Sequence, residues 1–201
     1  MACRHDHSEA VHECVGNGDR PTPLLWAELP SLVDEEDWLA LAMVRCHRQC
    51  NFLWGAVELV CDCSDTRGAA RNGGICRFAT PENVVNHDQP PTAAQYVTDC
   101  LYFLDDKVKD HTLFVPANGD PRHPKFRDLC TEMAKRILKI YSHFEYAHAE
   151  QMKNANIWNE FRCQQRTMLA VAARFGLLEL HKIQYIPYTD LREDELLRPF
   201  M

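Results

Sequence analysis

Apolar residues recur at a three-to-four spacing in four stretches of the chain, and each stretch reads as a helix that buries one stripe. The first covers about residues 35–61. Trp38, Leu41 and Ala42 open its stripe, Phe52, Leu53, Ala56, Val57 and Val60 continue it, and Arg45, His47, Arg48 and Gln49 make a polar interval between them. Asp34 stands where a carboxylate can cap the first free amides, and the acids at 35–37 suit the positive end of the helix dipole. A second helix is predicted from a Thr92 cap to about Lys109, with Tyr96, Val97, Cys100, Leu101 and Leu104 as its stripe. The third runs over 126–152 as one long helix. The fourth covers 157–175 and meets Gly176 where a left-handed residue closes a helix.

The segments between are of a different kind. Residues 1–25 are polar, rich in Gly, Pro and charge and without periodicity, which predicts a flexible arm. From 62 to 91 the pattern dissolves into Gly-, Asn- and Pro-rich sequence, a long loop with room for a short hairpin; such a loop is normally functional or tied down. Pro116, Pro121 and Pro124 break the chain before the third helix, and Pro187 and Pro199 punctuate an irregular tail. The expected architecture is an all-α bundle of about five or six helices over residues 26–187, with an arm before it and a tail over 188–201.

The third helix carries the most suggestive chemistry. At about 100° per residue, Lys135, Arg136 and Lys139 fall within about 100° of one another and turn away from the apolar stripe. A cationic fork on a rigid helix can bind an anion, above all a phosphate; the plainer reading is a solvated face. Further along, His143 and His148 lie about 140° apart on an ideal helix, so joint metal ligation needs a helix end, bend or bulge near Tyr146. Cys61 and Cys63, at the start of the long loop, could complete a four-donor set, although Cys-x-Cys is tighter than the usual spacing of structural zinc sites. Lone histidines on a packed helix are more often core residues than ligands.

Composition narrows the field. A chain of 201 residues is long enough to bury a real core, and its net charge of −7 argues against a general nucleic-acid binder. No apolar run approaches the ~18 residues of a membrane helix and no signal-peptide pattern is present, so an intracellular, cytoplasmic or cytoskeleton-associated protein is expected. Ten cysteines accompany ten histidines. Disulfides are not expected in that setting, and Cys46, Cys50, Cys100, Cys130 and Cys163, inside helical patterns, read as core filler. The arm holds Cys3, His5, His7, His12 and Cys14, at no known finger spacing. There is no phosphate-binding glycine loop, nucleophile elbow, kinase signature or paired nucleophile and base, so no enzyme is expected.

Taken in order, these landmarks resemble the Mob/phocein family of kinase-associated adaptors. The residues that carry the resemblance are the acidic start and Trp38, then Asn51, Phe52, Leu53, Trp54 and Gly55, then Cys61, Tyr96 and the run from His111 to Phe114. The stretch from Ala134 to Tyr141, the pair His143 and His148, and the run from Arg174 to Leu177 follow in the family's order and spacing. The resemblance covers about residues 26–187. It implies a helical fold without catalysis that serves as coactivator or scaffold for kinases of the nuclear-Dbf2-related and large-tumour-suppressor type, or as part of a phosphatase–kinase assembly. It also implies a phosphopeptide platform at Lys135, Arg136 and Lys139, with Lys at 139 where Arg is usual. A kinase-docking surface is implied around Asp34, Glu35, Asp37 and Trp38, with Val33 replacing one acidic position. Finally it implies zinc on a cysteine at 61, a cysteine five residues later, and His143 and His148. The position five residues on is Thr66, so the site looks degenerate: either Cys63 substitutes with local rearrangement, or the fold does without metal. The family's aromatic-rich loop is replaced by the Gly- and Ala-containing run 68–74. That divergence leaves room for a structural subunit of a cytoskeletal, ciliary or organellar assembly, and the Cys and His count for a redox or metal-handling protein.

Overall fold

A computed structural model describes residues 26–63, 92–114 and 122–179. Five α-helices order them: α1 (Glu35–Val57), α2 (Ala93–Lys109), α3 (Phe126–Ala147), α4 (Ala149–Asn154) and α5 (Trp158–Arg174). No strand occurs among the described residues, and the architecture is all-α as the periodicity implies. The arm, the tail, Thr66 and the segment in which a hairpin was expected lie outside the described residues.

Local chemistry accounts for the helix ends. Asp34 caps α1, its carboxylate accepting from the Glu36 and Asp37 amides at 2.9 and 3.1 Å. Thr92 and Gln95 form a reciprocal capping box at the start of α2, at 3.2 and 2.9 Å. α5 ends at Gly176, whose φ of 64° is the left-handed conformation that glycine adopts most cheaply. Two bonds close that turn, from the Leu177 amide to the Ala172 carbonyl at 2.8 Å and from the Gly176 amide to Ala173 at 3.1 Å. Asn156, with φ of 57°, plays the same part between α4 and α5.

Two elements depart from the periodic reading. The first helix stops at Val57 rather than near Cys61; a 3-10 turn over Glu58–Val60 follows, and Cys61 is extended, with φ −84° and ψ 96°. The long third pattern is two helices, because His148 leaves helical geometry at φ −128° and ψ 14°. The chain keeps its hydrogen bonds across this break, from the His148 amide to Phe144 at 3.0 Å and from the Met152 amide to His148 at 2.9 Å. Apolar periodicity therefore runs on through a kink that it cannot register.

The core lies where α1, α3 and α5 face one another, with α2 against α1 and α3. Trp54 of α1 stacks near-parallel on Phe144 of α3 at 6.2 Å, and Phe161 of α5 meets Tyr141 edge-on at 5.8 Å. Cys46, Cys50, Cys100 and Cys130 are buried free thiols, as expected of filler, while Cys163 is only half-buried. Burial pushes the Cys46 and Cys130 thiols up to about 12, so both stay protonated and behave as small apolar groups. No helix among the described residues is long and apolar enough to cross a membrane.

Candidate functional site

Both departures from the periodic pattern serve the same place. The 3-10 turn carries the chain out of α1 so that Cys61 and Cys63 meet the end of α3. The break at His148 turns its ring toward that of His143, the two centroids standing 4.9 Å apart and nearly perpendicular. A helix end thus supplies what the 140° separation required. The Cys63 carbonyl accepts from the Ala93 amide at 3.3 Å, which ties this segment to the first turn of α2.

The four donor atoms lie within 4.8 Å of one another. Cys61 Sγ is 3.5 Å from His143 Nε2, Cys63 Sγ is 3.8 Å from His148 Nε2, and the two Nε2 atoms are 3.2 Å apart. A tetrahedron with Zn–S of about 2.3 Å and Zn–N of about 2.05 Å has S···N edges of about 3.6 Å and an N···N edge of about 3.4 Å. The match in donor type and spacing fits zinc. Of the two alternatives that the spacing leaves open, Cys63 as a substitute donor is the one compatible with this geometry, because its Sγ lies in one cluster with Cys61, His143 and His148.

Electrostatics point the same way. Burial, then the neighbouring His148, lowers His143 to about 4, and burial lowers His148 against an opposing pull from Asp62. Both imidazoles are neutral near pH 7, the form that ligates. Both Nδ1 atoms are buried with no hydrogen-bonding partner among the described residues, so the polar edge of each ring is the Nε2 facing the cluster. Burial first, then the Cys61 sulfur and Asp62, raises the Cys63 thiol. Without an ion, neutral thiols and imidazoles at these distances can hydrogen-bond one another; a divalent ion would exchange the thiol protons for coordination.

The basic cluster is less open than helix geometry alone implies. Arg136 is buried, 5% exposed, because α2 packs over it: Phe103 lies 4.0 Å from its guanidinium. Lys135 and Lys139 are half-buried. Glu132, one turn earlier, accepts from Lys135 Nζ at 2.7 Å and from Arg136 Nη1 at 3.1 Å, one carboxylate oxygen to each cation. Burial pushes the Glu132 carboxyl up, but these two cations outweigh it and hold it below the ordinary glutamate range. Glu132 belongs to this site and sequence reasoning passed over it, although an acid three and four residues before two cations is a readable signal.

The acidic start of α1 is also engaged within the fold. Asp34 is its cap. Glu35 pairs with Arg127 of α3, Glu36 lies 3.5 Å from the same side chain, and Asp37 pairs with Arg122. Arg122 donates to the Phe114 carbonyl, and Arg127 to that of Phe175 at 3.2 Å. Trp38 stacks on Trp26 at 5.1 Å and donates Nε1–H to its carbonyl at 3.1 Å. These residues join the starts of α1 and α3, with Asp34 and Asp37 exposed and Glu35 and Glu36 half-buried.

Comparison with known proteins agrees with this architecture. The profile of the Mob1/phocein family matches residues 25–186. A "MOB kinase activator-like 1B" of Medicago sativa subsp. falcata is 25% identical over 165 residues, 82% of this chain and 75% of that protein. The "MOB kinase activator-like 2A" of Arabidopsis thaliana is 21% identical over 77% of this chain and 71% of its own length. The "Maintenance of ploidy protein mob1" of Schizosaccharomyces pombe is 20% identical over 82% and 77%. With the family profile spanning all the described helices, the chain belongs to the Mob1/phocein family.

Proposed function

We propose that this chain is a non-catalytic adaptor that binds a protein kinase of the nuclear-Dbf2-related type. The observation that carries the reading is the family match across residues 25–186, with relatives named as kinase activators. The docking surface is the start of α1, where Asp34, Glu35, Asp37 and Trp38 lie. Its carboxylates are shared with Arg122 and Arg127, and the part of them left in water attracts a basic partner helix. Leu41 and Phe52, both exposed, lie about 20° apart around α1 and extend this face with apolar surface of the kind that marks protein contacts.

Cys61, Cys63, His143 and His148 would hold one zinc ion. The ion would supply a redox-inert cross-link between the end of α1 and the end of α3. Lys135, Arg136 and Lys139 would receive a phosphorylated peptide, Lys135 and Lys139 from the surface and Arg136 from behind them. Titrating the full chain with a peptide spanning the basic N-terminal helices of such a kinase tests the docking role. Saturable one-to-one binding that weakens as salt rises is expected; no heat of binding at any salt concentration would refute it. The rival reading, a structural subunit of a larger assembly, predicts no binding to that peptide.

A further inference from the structure

The geometry around Arg136 points to Glu132 as an internal competitor that sets what the basic face of α3 accepts: a dianionic phosphoryl group displaces it, and a carboxylate does not. This rests on the reading of Lys135, Arg136 and Lys139 as a phosphopeptide platform, and it concerns the selectivity of that platform.

One observation and two points of chemistry carry it. Glu132 already gives Lys135 and Arg136 one oxygen each, at 2.7 and 3.1 Å, so the fork holds a carboxylate before any ligand arrives. A ligand carboxylate offers nothing that Glu132 does not, and Glu132 acts at the high effective concentration of a group one turn away on the same helix. A phosphoryl group brings a charge of about −1.5 to −2 at neutral pH and three acceptor oxygens, enough to engage Lys139 as well.

The exchange is also mechanically simple. The Glu132 side chain is 42% exposed and can turn out to water. The Arg136 guanidinium stays in place without it, held against the Phe103 ring at 4.0 Å and donating to the Glu132 backbone carbonyl at 3.1 Å. Displacing the carboxylate therefore opens its place on Lys135 and Arg136 to another anion without unseating the buried guanidinium. Glu132 thus weakens binding of every anion by a similar factor and sets a threshold, which a dianionic phosphoryl group clears and a carboxylate does not.

The test uses the full chain, a fluorescent heptapeptide with a central phosphothreonine in an alanine–glycine context, and the same peptide with glutamate there. Anisotropy titrations at one salt concentration compare the wild type, Glu132→Gln and Lys135→Ala. The amide in Glu132→Gln keeps the size of the side chain and removes its charge, and matched thermal melts establish that it folds. Expected are binding of the phosphopeptide by the wild type, binding roughly tenfold tighter by Glu132→Gln, and loss in Lys135→Ala. The glutamate peptide should bind measurably only to Glu132→Gln. Equal phosphopeptide affinity in the wild type and Glu132→Gln would remove the competitor and leave the platform standing. Weaker binding by Glu132→Gln would make Glu132 an organiser of the platform and overturn the proposal. No binding by either protein would remove the platform, and this inference with it.

Discussion

Cys63 is the residue on which the proposed zinc site turns. Four donors in a tetrahedral arrangement lose most of their affinity when one is removed, because the site is held together by the ion itself. Wild-type protein purified without chelator should contain about one zinc per chain by elemental analysis. Cys63→Ser should contain far less and melt at lower temperature, while Thr66→Ala should keep its zinc; the opposite pattern would return the fourth ligand to position 66. His143 supplies the pH dependence. Its folded value of about 4 lies below the ordinary value of 6.5, so between these the unfolded chain binds more protons than the folded one. The metal-free protein, prepared with chelator, should therefore lose stability as pH falls from about 6.5 toward 4 and lose little more from this group below that. Each pH step of one between the two values is worth about 1.4 kcal/mol, so the loss across the window is on the order of 3 kcal/mol. A flat unfolding free energy over the same range would contradict it.

At the scale of elements, the helix ends carry separable increments of stability. Asp34→Ala removes the carboxylate oxygen that accepts from two amides at the start of α1 and should cost about 1 kcal/mol in denaturant unfolding. Gly176→Ala meets no neighbour within 4 Å, so its cost is purely conformational. With φ at 64° it should also be about 1 kcal/mol, and an unchanged midpoint in either variant would show that another contact sets that helix end. These caps were readable in the sequence because they depend on near neighbours: Asp34 before the acids, Thr92 three residues before Gln95, Gly176 after the last apolar residue. The kink at His148 was not, because the hydrogen bonds and the apolar spacing both continue through it. Nor was the burial of Arg136. Helix geometry puts it on the side away from the α3 stripe, and only the position of α2, which brings Phe103 over it, makes that side interior.

For the molecule as a whole, α1, α3 and α5 form the core, and the Cys–His cluster and the paired acids and arginines sit at its edges. Cys61 and His143 are 82 residues apart and Asp37 and Arg122 are 85 apart, and both contacts follow from how α1 lies along α3. The donor types in the cluster, Cys63 among them, were legible from the sequence; whether Cys63 could stand in for a cysteine at position 66 was not, since Cys-x-Cys reaches the other donors only through the turn over Glu58–Val60. The acids at the start of α1 were legible as a charged surface, but Arg122 and Arg127, which share them, come from a distant part of the chain and became partners only in the fold. The central claim, a kinase adaptor, is tested most directly by purifying the full chain from its own cells and quantifying by mass spectrometry what accompanies it. A protein kinase recovered at near one-to-one stoichiometry is the predicted result. Stoichiometric recovery of a cytoskeletal or organellar assembly containing no kinase would contradict it.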